Sequence, residues 1–324
     1  MIYAKIDNAA QKLLSGSVLS KNEIVELLQI NSHTDECTYL RKKADECGRI
    51  ITGNRAYLWG AVGVDYAACP LNCDFCSFGA DWGLVKAEKI YTLPEIITQV
   101  REYVANQVHF IVLRTTQYYP HEMLINFAQA IRGEVPGNYE LIINTGEFDG
   151  KAADRLRRSG VNGIYHAVRL REGIDTRFNV EDRLKTLSSA KHSSLNLIHL
   201  VEPVGAEHSY GEIADRFLCA VEYGAYISGI MARIPVKGTP LGNIPQLSDG
   251  EIAKMIAVLR LASGTTVRHI CVHPASELAV QSGANVVVVE TGAIPRDAEI
   301  TPGKWLNFDV HSAKKLFEDN GFVL

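Results

Sequence analysis

The chain has 324 residues, 47% of them apolar and 22% charged, with a formal net charge of −4. That apolar fraction suffices for a packed core and excludes wholesale disorder. The mild acidity, without a dense Lys/Arg block, speaks against a nucleic-acid partner, and no stretch nears the roughly 18 apolar residues of a membrane span.

Residues 1–55 read as helical, with Ser20 and Glu23 marking one helix start. They show no basic region leading into an apolar run, so no secretory leader is read and a cytoplasmic location is expected. Beyond them, short β-branched or apolar runs alternate with amphipathic segments. Strands are expected over 57–64, 108–113, 139–144, 163–170, 195–201, 226–234, 266–272 and 285–290. Helices are expected to begin near Leu93, His121, Gly150, Val180, Tyr210, Asp249, Pro274 and Val310. Thr92 with Glu95, Ser209 with Glu212 and Ser248 with Glu251 have capping-box spacing.

Eight βα units imply parallel pairing and an α/β fold, a closed (β/α)8 TIM-type barrel over 56–324 with an N-terminal helical extension over 1–55. An open doubly wound sheet is the alternative. The proline-bearing loop 235–247 follows the sixth strand, so it belongs to the catalytic face.

Seven cysteines are present: Cys37, Cys47, Cys69, Cys73, Cys76, Cys219 and Cys271. An odd number in a long chain without an export signal argues against a disulfide framework. Three of them form Cys69-Pro-Leu-Asn-Cys73-Asp-Phe-Cys76, directly after the first strand. Three thiolates can hold three irons of a 4Fe–4S cube and leave the fourth iron open to a small molecule. Zinc is a poorer reading, because no fourth Cys or His follows at a zinc-finger interval, although His109 or His166 could supply one. Three thiols merely buried in a loop would not need to cluster in this way.

This C-x3-C-x2-C motif, with Phe75 before its last cysteine, resembles that of the radical S-adenosylmethionine superfamily. The resemblance extends to Val236-Lys237-Gly238-Thr239-Pro240-Leu241, to Ser282-Gly283-Ala284-Asn285 and to the early Leu-Ser-Gly-Ser and Leu-Ser-Lys-Asn-Glu pattern, all similar to the biotin synthase-like branch. That branch includes biotin synthase, lipoyl-forming enzymes, methylornithine synthase and the hydrogenase-cofactor maturase. The resemblance implies a 4Fe–4S cluster whose open iron chelates S-adenosylmethionine. Reductive cleavage then gives methionine and a 5′-deoxyadenosyl radical, which removes a hydrogen atom from a substrate. The implied partners are a small-molecule or carrier-bound biosynthetic precursor and a low-potential electron donor such as ferredoxin or flavodoxin.

Strand alternation puts Tyr165, Ala167, Arg169 and Arg171 on one face. Two arginines there would be costly against helices, so that face should point into the barrel. In relatives the matching positions bind the methionine part of the cofactor or the substrate, and whether Arg171 or Glu172 takes the acidic role stays open. The resemblance implies that Arg183 pairs with the S-adenosylmethionine carboxylate and that the turn at Val204 contacts the adenine. It also matches Arg268 to an arginine that ligates the sulfur-donating cluster of biotin synthase.

The three cysteine ligands of that sulfur-donating cluster are replaced here by His109-Phe110-Ile111-Val112, Leu141-Ile142-Ile143 and Asn196-Leu197-Ile198. The ordinary biotin synthase mechanism therefore cannot operate, and Arg268 becomes a candidate anchor for a substrate carboxylate. Arg114, Thr115, Thr116 and Gln117, then Asn144, Thr145 and Glu147, end strands on the active face as candidate substrate contacts, as does Glu202. His208, His269 and His273 are noted at strand ends.

Cys37, Cys47, Cys219 and Cys271 could form a second cluster. Against it, Cys271 has the opposite parity to Arg268 and should face a helix, and Cys219 lies among Phe217, Leu218 and Val221. The functional expectation is a transferase-type radical enzyme of cofactor biosynthesis, leaning to sulfur insertion of biotin or lipoyl type with a different sulfur source. Carbon-skeleton rearrangement or cofactor maturation, and a non-catalytic Fe–S carrier, stay as alternatives.

Overall fold

The computed structural model describes residues 2–290 and 307–324. Three helices come first, α1 (Ile2–Leu14), α2 (Lys21–Leu28) and α3 (Asp35–Thr52). The chain then enters β1 (Tyr57–Gly63), followed by β2 (Asp65–Tyr66) and β3 (Lys89–Ile90). Next come α4 (Leu93–Ala105), β4 (Phe110–Arg114), α5 (His121–Glu134), β5 (Glu140–Asn144), α6 (Gly150–Arg158) and β6 (Gly163–Tyr165). After these follow α7 (Val180–Lys191), β7 (Asn196–Ile198), β8 (Val201–Val204), α8 (Tyr210–Glu222) and β9 (Ile227–Ala232). The last elements are α9 (Asp249–Ala262), β10 (His269–His273), α10 (Glu277–Val280), β11 (Val286–Val289) and α11 (Val310–Asp319).

Eight parallel strands close a barrel in the order β1, β4, β5, β6, β7, β9, β10, β11. Pairing of β11 with β1 and of β10 with β9 shuts the ring, which rules out the open doubly wound sheet. Side chains alternate between the lumen and the helix layer. The lumen core holds Trp59, Ala61, Phe110, Val112, Ile142, Tyr165, Ile198, Leu200, Ile227, Cys271, Val286 and Val288. The floor is aromatic: the Tyr57 and His269 rings lie 4.7 Å apart, those of Tyr226 and His269 4.8 Å, and those of Tyr57 and Phe110 5.7 Å.

Three strands differ from expectation. The strand expected over 163–170 stops at Tyr165; further on the Glu172 carboxylate takes the Arg169 N–H at 2.8 Å and the chain turns, with Arg171 at φ 51°. The strand expected over 195–201 breaks after Ile198 and resumes as β8. The strand expected from 266 begins at His269, and its lumen set is His269, Cys271 and His273.

Helices α1, α2 and α3 pack against α8 and α9 on the outside of the barrel. Helix α9 is thereby covered on all sides, every residue from Ile252 to Ala262 being buried. Its charged side chains must find partners there. Lys254 Nζ meets Glu251 at 2.8 Å and the Tyr210 hydroxyl at 2.9 Å. This is why Ser248 caps α9 through the Glu251 N–H while the Glu251 carboxylate does not return to form a box. At Ser20, Thr92 and Ser209 the full capping box is present. Arg260 donates to Gly283 O at 2.9 Å, Arg268 O at 3.1 Å and Asn285 Oδ1 at 2.8 Å, tying α9 to the turn before β11. No helix of the described residues is long and apolar enough to cross a membrane.

Replacing Arg260 by Met removes three hydrogen bonds, two of them to buried acceptors. It should lower stability by about 3 kcal/mol or more, which urea unfolding under anaerobic conditions would show as an earlier midpoint.

Candidate active site

The short antiparallel pair β2–β3 frames the segment that carries the cysteines. Within it Cys69 N donates to Phe78 O at 2.7 Å, Cys76 N to Cys73 O at 2.9 Å and Ala80 N to Cys69 O at 3.0 Å. Asn72 turns the chain at φ 40°, and its Oδ1 accepts the Asp81 N–H at 2.8 Å. Trp82 Nε1 reaches Cys73 O at 3.3 Å. Its ring lies so close to Gly79 that a Cβ there would be 2.1 Å from the indole nitrogen.

Two neighbouring loops strap this segment down. Asp74 N donates to Asp175 O at 2.9 Å, and Leu241 N donates to Asp74 O at 3.0 Å. Arg177 ties to Asp81 at 2.6 Å.

Burial pushes the Cys73 thiol up to about 12 against the pull of Arg169, and burial raises Cys69 too. Such thiols ionise on binding metal rather than in bulk water. Among the described residues no three His, Cys, Asp or Glu side chains converge on one ion. A single zinc ion would need that convergence; a cube does not, because each thiolate binds a different iron. The two histidines that could have completed a zinc site are placed elsewhere. His109 Nδ1 accepts the Leu58 N–H at 3.1 Å, and the His166 ring packs 6.1 Å from that of Phe148. The loop therefore offers three thiols without a nearby histidine, the donor set that a three-thiolate cubane needs.

Beside it lies a buried charge network. Glu172 accepts from the Thr176 hydroxyl at 2.9 Å and sits 3.5 Å from both Arg169 Nη1 and Arg183 Nε. Burial would raise the Glu172 carboxyl, but Arg169 and Arg183 outweigh it and hold it below its ordinary value. Arg183, in the first turn of α7, also donates to Glu147 at 3.2 Å. Burial, then repulsion from Arg169, lowers Arg183 to about 10. Both guanidinium groups lie over the Phe178 ring, at 5.1 and 4.7 Å.

A cavity of about 190 Å³ opens between the cysteine loop and the lumen. Phe75, Cys76 and Ser77 form its loop wall, and Trp59, Arg114, Asn144, Tyr165, Arg169, Glu202, Met231, Arg233, His273 and Glu290 are among its other lining residues. The Tyr165 hydroxyl donates to Glu202, and Arg169 Nε lies 3.4 Å from the same carboxylate. Burial lifts Glu202 to about 8, with Arg114 the opposing charge.

Of the residues singled out in the sequence, Cys76, Phe75, Arg169, Arg114, Asn144 and Glu202 meet at this cavity, with Cys69 and Cys73 on the same loop. Glu172 and Arg183 form the network behind it. The others fall elsewhere. Arg171 does not share a face with Arg169; it follows the turn and pairs with Glu212 of α8 at 3.4 Å. At Val204, whose expected role is through the backbone, the side chain is in the helix-side core and the carbonyl accepts the Arg233 N–H at 2.8 Å. Thr115 braces the strand-end loop, donating to Thr116 O at 2.9 Å.

Arg268 is exposed and precedes β10, at the end of the barrel away from the cysteines, so it cannot anchor a substrate in this cavity. Cys271 faces the lumen rather than a helix, because the lumen alternation runs through His269, Cys271 and His273 and not through Arg268. The second-cluster set is dispersed: Cys37 and Cys47 are ten residues apart on α3, Cys219 is on α8, and Cys271 is inside the barrel.

One residue escaped sequence reasoning. Arg233, just past β9, is buried and donates to Leu241 O at 2.7 Å and to Glu207 at 2.7 Å. It thereby holds the 235–247 loop that in turn holds Asp74. Its place at a strand end was the available signal.

A (β/α)8 barrel with three clustered thiols at the C-terminal ends of its strands defines an iron–sulfur enzyme class. Residues 64–196 match the model of the Radical SAM superfamily. The biotin synthase of Acetivibrio thermocellus is 26% identical over 263 residues, 77% of this chain and 79% of its own length. That of Clostridium botulinum is 23% identical over 322 residues, 94% of this chain and 96% of its own. Among solved structures, methylornithine synthase superposes with a TM-score of 0.77 at 18% identity, covering 97% of this chain and 96% of that one. The FeFe-hydrogenase maturase HydG from Carboxydothermus hydrogenoformans gives 0.76 at 17% identity, covering 98% and 79%. Residues 64–196 thus carry a Radical SAM match, and over most of its length the chain is similar to biotin synthases. The family of that match is one that implies a 4Fe–4S cluster and S-adenosylmethionine.

Two predictions come from this geometry. The folded chain keeps the Glu202 proton between the ordinary carboxyl value of 4.5 and about 8, where an unfolded chain has lost it. Stability from this group therefore falls as pH rises through that window. The stability difference between wild type and Glu202→Gln should shrink by a few kcal/mol from pH ~5 to ~8, measured by urea unfolding at each pH. Arg233→Lys loses the planar fork that spans two loops and should release cluster iron to a chelator about tenfold faster than wild type.

Proposed function

We propose that this radical S-adenosylmethionine enzyme removes a hydrogen atom from a small biosynthetic precursor held in the barrel. In this reading residues 56–324 are the catalytic barrel and 1–55 its helical buttress. When bound, the cluster and S-adenosylmethionine supply the electron and the 5′-deoxyadenosyl radical for hydrogen abstraction. Cys69, Cys73 and Cys76 hold the cluster. Arg169 neutralises thiolate charge beside Cys73 and Cys76, and Arg183, already oriented by Glu147 and Glu172, is the carboxylate-binding group for the cofactor. The precursor lies against Arg114, Asn144, Tyr165 and Glu202, away from bulk water.

The observation that carries this reading is one continuous cavity with Cys76 and Phe75 on one wall and this polar set on the other. A mere cluster carrier has no use for such a lining.

The favoured outcome is rearrangement or fragmentation of the precursor's carbon skeleton, or a maturation step of that kind. Sulfur insertion needs a sulfur donor near the substrate. Among the described lumen core residues Cys271 is the one cysteine. The Val236–Leu241 segment that suggested sulfur chemistry has a supporting role, through the Leu241 bond to Asp74. Sulfur insertion from an external donor is the second reading, favoured by likeness to biotin synthases over 77% and 94% of the chain.

Anaerobic reconstitution should yield about four irons and four sulfides per chain. With dithionite and S-adenosylmethionine, the protein should release 5′-deoxyadenosine. Cys73→Ala should abolish both the brown chromophore and nucleoside release; retention of both would overturn the proposal.

A further inference from the structure

The upper layer of the lumen is a belt of charged and polar groups contributed by successive strands. Arg114, at the end of β4, has Nη1 at 3.4 and 3.2 Å from the two Glu290 oxygens. His273 Nε2, at the end of β10, lies 3.6 Å from the same carboxylate. Three strands further round, Glu202 accepts the Tyr165 hydroxyl and faces Arg169 Nε at 3.4 Å. Asn144, between the two groups, is fixed by its Nδ2 donating to Tyr165 O at 2.9 Å.

The Arg114–Glu290 ion pair lines the cavity. A ligand carboxylate can therefore take over Arg114 through two parallel N–H bonds while Glu290 keeps its contact with His273. A hydrocarbon chain in the same place would offer Arg114 and Glu290 no hydrogen bond.

We infer that the substrate is a small molecule whose carboxylate binds Arg114 in exchange for Glu290, and whose second hydrogen-bonding group meets Glu202 and Tyr165. The inference rests on the reading that the barrel holds the reacting precursor. It sets the substrate apart from an acyl chain, which would present apolar surface to the belt. It also makes Arg114 the residue that selects the substrate and Glu290 its resident competitor.

The test uses the anaerobically reconstituted holoprotein with S-adenosylmethionine. Its thermal midpoint is followed against glycine, β-alanine, 5-aminopentanoate, the amide of each, and octanamide. At least one carboxylate probe should stabilise the protein saturably, with its amide weaker by about tenfold to a hundredfold. Arg114→Gln should erase that preference. Glu290→Gln, which keeps Arg114 and removes its resident partner, should tighten the carboxylate probe several-fold; this second variant covers the case in which Arg114→Gln misfolds. Equal binding of acid and amide, an unchanged preference in Arg114→Gln, a response to octanamide alone, or no response to any carboxylate overturns the inference. Iron content and probe-free 5′-deoxyadenosine release are read on the same samples. Their loss in wild type overturns the proposed function as well, whereas loss of the probe response alone removes only the carboxylate-binding role.

Discussion

Two arginines and two carboxylates buried together between the cysteine loop and α7 set the terms for the rest of the site. Taking one of these charges out of water is costly, and removing one partner leaves the other stranded. Glu172 is therefore fixed by Arg169, Arg183 and Thr176 at once. That demand folds the chain into the turn at 170–176. The same turn presents the Asp175 carbonyl to Asp74, so a charge requirement on one strand becomes a mechanical support for the cysteines on another.

The barrel divides along its axis. Its lower part is filled with aromatic and aliphatic side chains, and its upper part carries the polar groups. This matches the general separation in (β/α)8 enzymes, where one end serves stability and the other chemistry. The long 235–247 loop closes over the upper end and is held by Arg233 from beneath. The Val236–Leu241 segment, whose sequence resembles biotin synthase, is thus bound up with the support of the cysteine loop.

Much of this was legible in the sequence. The alternation of strands and helices, the capping boxes at Ser20, Thr92 and Ser209, and the cysteine spacing are local patterns, and local patterns survive into the fold. What failed were inferences that needed strand boundaries to within one residue. Taking Arg268 as part of the strand and lumen-facing turned Cys271 toward the helices, because residues of opposite parity face opposite sides. Extending the strand past Tyr165 put Arg171 beside Arg169, when the alternation had already ended. Counting cysteines could not place Cys37, Cys47, Cys219 and Cys271, since helix α3, helix α8 and the lumen come together only in three dimensions. Arg233 looked like any other charge after an apolar run; its value lies in carbonyls eight and eleven residues downstream.

The aromatic floor of Tyr57, Phe110, Tyr226 and His269 makes the barrel a vessel with a sealed base. Two ligands that share such a vessel must queue: whichever sits deeper enters before the other and leaves after it. A precursor lodged against the strand ends, beneath a nucleotide resting on the iron, would be trapped for as long as that nucleotide stays. Order of arrival and departure is then imposed by the shape of the container.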